Sequence, residues 1–271
     1  MIFFIILFIM DVNLLKIKKR VSRNNQPQKK KLNSVSAPDL FKKYIDNNIN
    51  LSNFIKKHFD HTLDTTFLIS SSGEYNLEKL NAGKFSSVIN FKKVNDIRYI
   101  NKFFEVINNA LPNSGLYLGS VITYPTRRKD IYKKYPPIIN RVVYFIDFIF
   151  SRVSPKLPII KKIYFFLTKG KGRVMSRAET YGRLYCCGFE IIDEKVINNL
   201  LYFVARKTNK PHFDNNPTYG PFIKLNRVGK NGKIIKVYKL RTMHPYSEYL
   251  QKFVYERNKL ELGGKIKNDF R

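Results

Sequence analysis

Strand-like and helix-like segments alternate in the middle of the chain, and this alternation limits the possible folds more than any other feature of the sequence. Residues 65–70, 85–91 and 115–122 are short apolar runs of the kind that form buried strands. Residues 96–111 have the spacing of an amphipathic helix, with Asp96 as the candidate N-cap. Strands that alternate with helices are typical of α/β proteins with a parallel sheet. We therefore predict an α/β fold.

The segment that follows contains a second recognisable order of elements. Residues 173–185 are predicted to form a helix, with Ser176 as the N-cap and Glu179 completing a capping box. Residues 183–207 then contain a helix end, Gly188 and two strand-like runs joined by a turn. This order resembles the second half of class I methyltransferase-like Rossmann domains, with a closing antiparallel pair of strands. The glycine-rich loop that follows the first strand of a dinucleotide-binding fold has no counterpart here, so we expect such a sheet without methyl transfer.

A third pattern predicts a β-hairpin near the end of the chain. Two apolar-rich runs, 222–228 and 234–240, are separated by a turn in which Gly229, Asn231 and Gly232 are the structural residues. The cations of this stretch have no carboxylate among them, which suits phosphate binding. They are Lys224, Arg227, Lys230, Lys233, Lys236, Lys239 and Arg241. The alternative is that the lysines only prevent association of the sheet edges.

The hairpin also carries a family resemblance. The string GPFIKLNRVGKNGKIIKVYKLRTM, followed by GGKIKNDFR, resembles the opening of the bacterial sugar transferase family, the polyprenol-phosphate sugar-1-phosphate transferases or monotopic phosphoglycosyl transferases. The resemblance assigns substrate phosphate binding to Lys239, Arg241 and Arg227. It implies transfer of a sugar 1-phosphate from a nucleotide sugar to membrane polyprenol phosphate, with Mg²⁺, in exopolysaccharide, capsule or O-antigen biosynthesis.

The resemblance leaves the catalytic step open. The Asp-Glu pair that supplies the nucleophile of that family comes later in its sequence, and we expect it beyond Arg271, with this chain a truncated form. Whether the chain is itself an enzyme is therefore undecided at this stage. The alternative function is that of a non-catalytic Rossmann-like, methyltransferase-like module of a glycan-assembly protein.

The net charge of the chain limits the classes of molecule that it is expected to bind. The formal net charge is +30, which favours nucleic acid, anionic lipid or phosphorylated ligands. No nucleic-acid recognition motif accompanies the charge, so the sequence does not favour nucleic acid. The adjacent Cys186 and Cys187 are poorly placed for a disulfide or a metal site, which indicates a reducing environment.

These observations divide the chain into three predicted parts. Residues 1–37 are an apolar start and a basic flexible arm, 38–209 are the Rossmann-like α/β region, and 210–271 are the truncated sugar transferase domain. An aromatic insertion, 142–167, interrupts the second part and has basic flanks. It is predicted to cover the sheet or to lie in the interface of an anionic membrane surface. The alternative is that it resembles the re-entrant membrane helix of the sugar transferase family, whose order Arg141, Asp147, Ser154 and Pro155 follow. We expect the protein at the cytoplasmic face of the inner membrane.

Overall fold

A five-stranded mixed sheet lies at the centre of the protein. The computed structural model describes residues 48–59, 65–70, 85–212 and 220–258. The strands are β1 (Thr66–Ile69), β2 (Ser87–Lys93), β3 (Leu116–Val121), β4 (Phe189–Ile197) and β5 (Leu200–Lys207), in the spatial order β1-β2-β3-β5-β4. The first three strands are parallel, and β5 is antiparallel to both of its neighbours. The predicted α/β class and the antiparallel closing pair are confirmed.

Seven α-helices accompany the two sheets in the described part of the chain. They are α1 (Ile49–His58), α2 (Ile100–Ala110), α3 (Tyr124–Lys134), α4 (Ile139–Phe148), α5 (Ile160–Thr168), α6 (Arg177–Cys186) and α7 (Gln251–Arg257). The helix predicted over 96–111 exists as α2, but Asp96 is not its N-cap. Ile97 has an extended backbone and is buried, so the helix begins only after Tyr99. Asp96 instead accepts a hydrogen bond of 3.0 Å from the Gly172 amide.

The core lies on both faces of the central sheet. Neighbouring residues of a strand point to opposite faces, so Tyr117 and Phe203 pack with α2 and α6, whereas Leu118 and Val204 pack with α1. Aromatic rings fill the first of these clusters, and Tyr117 and Phe203 stand 5.9 Å apart between ring centres. Gly119 is required beneath them, because a Cβ there would lie 2.6 Å from the Phe203 ring. The sheet is therefore covered on both sides.

The predicted hairpin is confirmed in its bounds. β6 (Phe222–Val228) and β7 (Ile234–Leu240) form a separate two-stranded antiparallel sheet. Asn231 and Gly232 take positive φ angles of 61° and 74°, as a tight turn at this point requires. Every side chain of β7 is exposed.

The aromatic insertion forms a broken helical pair. It consists of α4, a π-helical turn at Ile149–Val153, a 3₁₀ turn at Ser154–Lys156 and α5. The Phe150 and Tyr164 rings lie 5.3 Å apart and hold the two helices together at the break. Neither core cluster of the described residues includes a side chain of α4 or α5. The large side chains of α4 and α5 are therefore not part of the two core clusters, and Tyr164, which is buried, packs on Phe150 instead.

Some predictions fall on parts of the chain outside the described residues. These are the apolar start with the basic arm, 1–37, and the segment GGKIKNDFR that carried part of the family resemblance. The predicted boundary near residue 210 is not tested.

Candidate functional site: a basic cleft

A large cleft opens where the chain leaves the carboxyl end of β2. Its volume is about 1170 Å³. One wall is the start of α2, and the opposite wall is the break between α4 and α5 together with α5 itself. Glu179, Arg183 and Cys186 of α6 also line the cleft, together with Tyr246. In open α/β sheets, ligands bind in the crevice outside the carboxyl ends of the strands, so this is the position at which a site is expected.

The cleft is strongly cationic. Nine basic side chains line it against two carboxylates. The basic residues are Arg98, Lys102, Arg152, Lys156, Lys161, Lys162, Lys169, Arg173 and Arg183, and the acidic ones are Glu105 and Glu179. In the part of the chain that the structure describes, Arg98, Arg152, Lys161, Lys162 and Lys169 have no carboxylate partner. The cleft therefore carries a large uncompensated positive charge.

A buried ion network forms the base of the cleft. Glu179, only 2% exposed, accepts a 2.7 Å hydrogen bond from Lys156 and one of 3.1 Å from Arg183. Burial alone would raise the pKa of this carboxyl group, but the charges and hydrogen bonds of Arg183 and Lys156 outweigh it and lower the pKa to about 2. Glu179 is therefore ionised at neutral pH. The predicted cap is confirmed at Ser176, whose hydroxyl accepts from the Glu179 amide at 2.9 Å. The Glu179 carboxylate does not complete the predicted capping box, because it binds Lys156 and Arg183 instead.

The network connects the cleft to the segment that follows the hairpin. Arg183 donates a hydrogen bond of 2.6 Å to the side-chain oxygen of Asn101. Its guanidinium group lies 4.5 Å from the centre of the Tyr246 ring. Asn101 in turn donates to the Tyr246 hydroxyl at 3.1 Å. Tyr246 is buried because α6 has Gly182 at the point of contact, where no side chain intervenes.

Arg152 has an unusual position among the cleft cations. Its guanidinium lies 4.9 Å from the centre of the Tyr124 ring and 5.8 Å from that of Phe148. Its Nη1 atom is buried and has no hydrogen-bond partner in the described structure. The Tyr124 and Phe148 rings restrict the orientation of this guanidinium group in the wall of the cleft.

The site residues predicted on the hairpin lie elsewhere and do not converge. Lys239 is paired across the strands with Ile223, and Arg227 with Ile235, so the two cations share a face but stand four residues, about 13 Å, apart along the strand. Arg241 donates through Nε to the Gly220 carbonyl at 3.0 Å and so closes the open end of the hairpin. None of these three residues lines the basic cleft. Their assignment to phosphate binding stays a prediction.

The Mg²⁺ that the resemblance implies stays a prediction, and the hairpin is not expected to supply its ligands. Mg²⁺ prefers carboxylate and water oxygens, whereas 222–241 contain cations and no carboxylate. No group of three His, Cys, Asp or Glu side chains that could hold a metal occurs among the residues that the structure describes.

Comparison with known proteins gives a limited result. No family model matches the chain, and no curated protein matches its sequence. Among solved structures, a possible exported protein of Bordetella parapertussis is 14% identical, with a TM-score of 0.31 over 49% of this chain and 42% of that one. An S-adenosylmethionine-dependent methyltransferase of Mesorhizobium loti is also 14% identical, with a TM-score of 0.30 over 48% and 66%. A 16S rRNA methyltransferase of T. thermophilus is 10% identical, with a TM-score of 0.21 over 67% and 36%.

These findings contradict the sugar transferase resemblance. No family model matches the chain, and the model of that family is among those that do not match. The assignment to the phosphoglycosyl transferases, including the domain predicted to open at the hairpin, is therefore wrong. A β-hairpin with a glycine turn and many lysines is a short and common element, which explains how the pattern misled. In the described residues, no helix is long and apolar enough to cross a membrane.

Sequence reasoning missed the cleft because its residues are distant in the chain. Arg98, Arg152 and Arg183 come from three separate elements, and only the tertiary fold brings them together. The one sequence feature that points to the cleft is the set of basic residues around the aromatic insertion. The sequence alone favours their interpretation as flanks that face a membrane. Nothing in the spacing of these residues indicates a shared cavity.

Proposed function

We propose that this chain is a non-catalytic α/β module that attaches to an anionic membrane surface through its helical insertion. The observation that supports this most directly is the large apolar surface of α4 and α5, here called the apolar stripes. The stripes consist of Ile138, Ile139, Val142, Phe145, Ile149, Phe150, Ile159, Ile160, Ile163, Phe166 and Leu167. Soluble proteins rarely expose so many large side chains together, and such surfaces mark interaction sites.

The spacing of the apolar stripes fits helices that lie in a membrane interface. Val142 and Phe145 of α4 and Ile149 of the π-helical turn that continues it recur three and four residues apart and therefore lie on one side. Ile163 and Phe166, 58% and 83% exposed, do the same on α5. An amphipathic helix in this position buries its apolar side in the boundary between headgroups and acyl chains.

The charges around the stripes favour an anionic membrane surface as the partner. Between residues 139 and 171 the chain has seven cations and one carboxylate, Asp147. Asp147 is already engaged by Arg127, at 2.6 Å and 3.2 Å. Each Lys or Arg near an anionic bilayer contributes about 1 kcal/mol to binding. The position at the cytoplasmic face of the inner membrane stays a prediction.

The charge of the cleft supports the non-catalytic part of the proposal. S-adenosylmethionine carries a positive sulfonium centre, which a cavity with nine cations and two carboxylates repels. Glu179 is buried between Lys156 and Arg183 and ionised, so it is poorly suited to accept or donate a proton. The predicted nucleotide sugar, polyprenol phosphate and role in glycan assembly followed from the sugar transferase resemblance alone and form no part of this proposal.

Vesicle sedimentation tests the attachment. We expect the protein to bind vesicles that contain phosphatidylglycerol at least about tenfold more strongly than vesicles of phosphatidylcholine alone. Replacing both Phe145 and Phe166 with serine should weaken binding to the anionic vesicles by roughly tenfold or more, because two rings no longer enter the interface.

Exposed apolar residues elsewhere provide the matched control. Ile49 on α1 and Val196 on β4 are 76% and 57% exposed, and their replacement with serine should leave vesicle binding unchanged. Equal binding by the Phe145 and Phe166 variant and the Ile49 and Val196 variant would contradict attachment through α4 and α5. Failure of the unaltered protein to bind anionic vesicles would contradict attachment altogether.

Titration calorimetry tests the non-catalytic assignment. We expect S-adenosylmethionine to produce no binding heat at millimolar concentration, because its sulfonium charge is repelled by the cleft. S-adenosylhomocysteine, which lacks that charge, serves as the comparison. A measurable dissociation constant for S-adenosylmethionine would show that the methyltransferase-like fold retains its cofactor and would overturn this part of the proposal.

A further inference from the structure

We propose that the basic cleft is a binding site for a phosphate-bearing group, held by Arg152 together with the lysines of α5. This site adjoins the apolar stripes, with which it shares Phe166, and its existence does not depend on membrane attachment. Phosphate is the chemical class that fits, because it offers several acceptor oxygens and a charge of up to two for a site rich in donors.

The unpaired cations form the first part of the argument. Lys161 and Lys162 of α5 line the cleft with Lys169, which follows α5, and Arg98 lines it just before the start of α2. None of the four has a carboxylate partner in the described part of the chain. Like charges gathered in a concave surface repel one another and reduce stability. A bound anion of high charge density removes this repulsion, so the unliganded cleft favours such an anion over a neutral ligand.

Arg152 provides the second, independent observation. The rings of Tyr124 and Phe148 lie against its guanidinium group and restrict its orientation. Arg152 lines the cleft, and no carboxylate pairs with it in the described part of the chain. A planar guanidinium of restricted orientation binds phosphate through two parallel hydrogen bonds. The geometry therefore assigns Arg152 as the residue that orients the ligand.

The beginning of α2 adds a partial charge of the same sign. The helix starts at Ile100 without a side-chain cap, and its first residues line the cleft. The amide groups of a first helical turn carry about half a positive charge and commonly bind phosphate. This contribution supports the cation cluster and is not needed to define the site.

Two sources of the phosphate fit the surroundings. Phe165 and Phe166 belong to the wall of the cleft, and Phe166 is also part of the apolar stripes. A lipid headgroup could therefore enter from a bilayer on that side. A soluble diphosphate could equally enter from solvent, since the cleft is open. The chemistry recognised is the same in both cases.

Calorimetry with two water-soluble probes tests the proposal on the full chain. Inorganic diphosphate represents the soluble source, and dihexanoyl phosphatidic acid, kept below its micelle concentration, represents the lipid source. We expect binding of at least one probe that weakens as the salt concentration rises. Arg152→Gln should weaken that binding by about tenfold, through loss of two charge-assisted hydrogen bonds.

Charge-matched variants separate this site from general electrostatics. Lys133→Gln removes one charge from α3, outside the cleft, and should weaken binding less than about twofold. Lys162 is exposed and lines the cleft, so Lys162→Gln should weaken binding of the probe without affecting folding. If Arg152→Gln does not fold, Lys162→Gln is the variant that tests the site. Binding of only the lipid probe would identify a headgroup site, and binding of diphosphate a soluble ligand. The proposal is overturned if neither probe binds, or if the cleft variants and Lys133→Gln have equal effects.

Discussion

Replacement of Glu179 with alanine is expected to lower the free energy of unfolding by roughly 3–5 kcal/mol, the usual cost of leaving a buried charge without its partner. Arg183 is 8% exposed and Lys156 has only 22% of its side chain exposed, so neither can recover full hydration when the carboxylate is lost. Chemical denaturation monitored by circular dichroism measures the change. The exposed Glu248, replaced in the same way, should alter stability by less than about 0.5 kcal/mol.

The same carboxylate predicts a pH dependence. The pKa of Glu179 is lowered from its ordinary 4.5 to about 2 in the folded protein. A lowered pKa means that the stabilisation is complete above pH 4.5 and is lost as the pH falls toward 2, because the unfolded chain takes up the proton first. Glu179→Gln, which cannot titrate, should lose less stability than the unaltered protein across this range. Equal losses in both proteins would show that other groups control the acid transition.

Replacement of Gly182 with alanine is expected to destabilise the protein by about 2 kcal/mol through overpacking. A Cβ at this position would lie 2.7 Å from the carbonyl carbon of Tyr246, and the carbonyl oxygen is nearer still. These are backbone atoms, which cannot move aside as the end of a flexible side chain does. The segment that contains Tyr246 must shift, and Arg183 then loses the ring on which it lies.

A second glycine provides the control for this prediction. At Gly220 the nearest atom to a new Cβ is the Lys156 carbonyl oxygen at 3.7 Å, which is ordinary contact. Gly220→Ala should therefore change stability by less than about 0.5 kcal/mol. Alanine favours helix over glycine by about 1 kcal/mol, so an increase in stability for Gly182→Ala would mean that Tyr246 does not pack against α6 as described.

Local patterns predicted a large share of the fold. The two runs on either side of Asn231 and Gly232 contain their own turn chemistry, and the hairpin has the bounds expected of it. Helix α2 was evident because Ile100, Phe103 and Ile107 recur at helical spacing. These features depend on residues that are near neighbours in sequence, and single-sequence reasoning has access to such information.

Features that depend on long-range contacts could not be predicted in this way. Glu179 satisfied the pattern of a capping box, yet its carboxylate binds Lys156, 23 residues away. Asp96 had the position of an N-cap, but burial of Ile97 delays the helix. The cleft itself joins α2, α5 and α6, and the apolar stripes gave no indication that one of their helices also forms a wall of a cavity.

The position of β5 also affects how the chain folds as it is synthesised. β5 pairs with β3 on one side and β4 on the other, although the whole insertion and α6 separate β3 from β5 in sequence. The edge of β3 that faces away from β2 therefore lacks its partner strand until residues 200–207 have left the ribosome. An unpaired strand edge is open to pairing with other chains. Premature termination before residue 200 is thus expected to yield chains that aggregate.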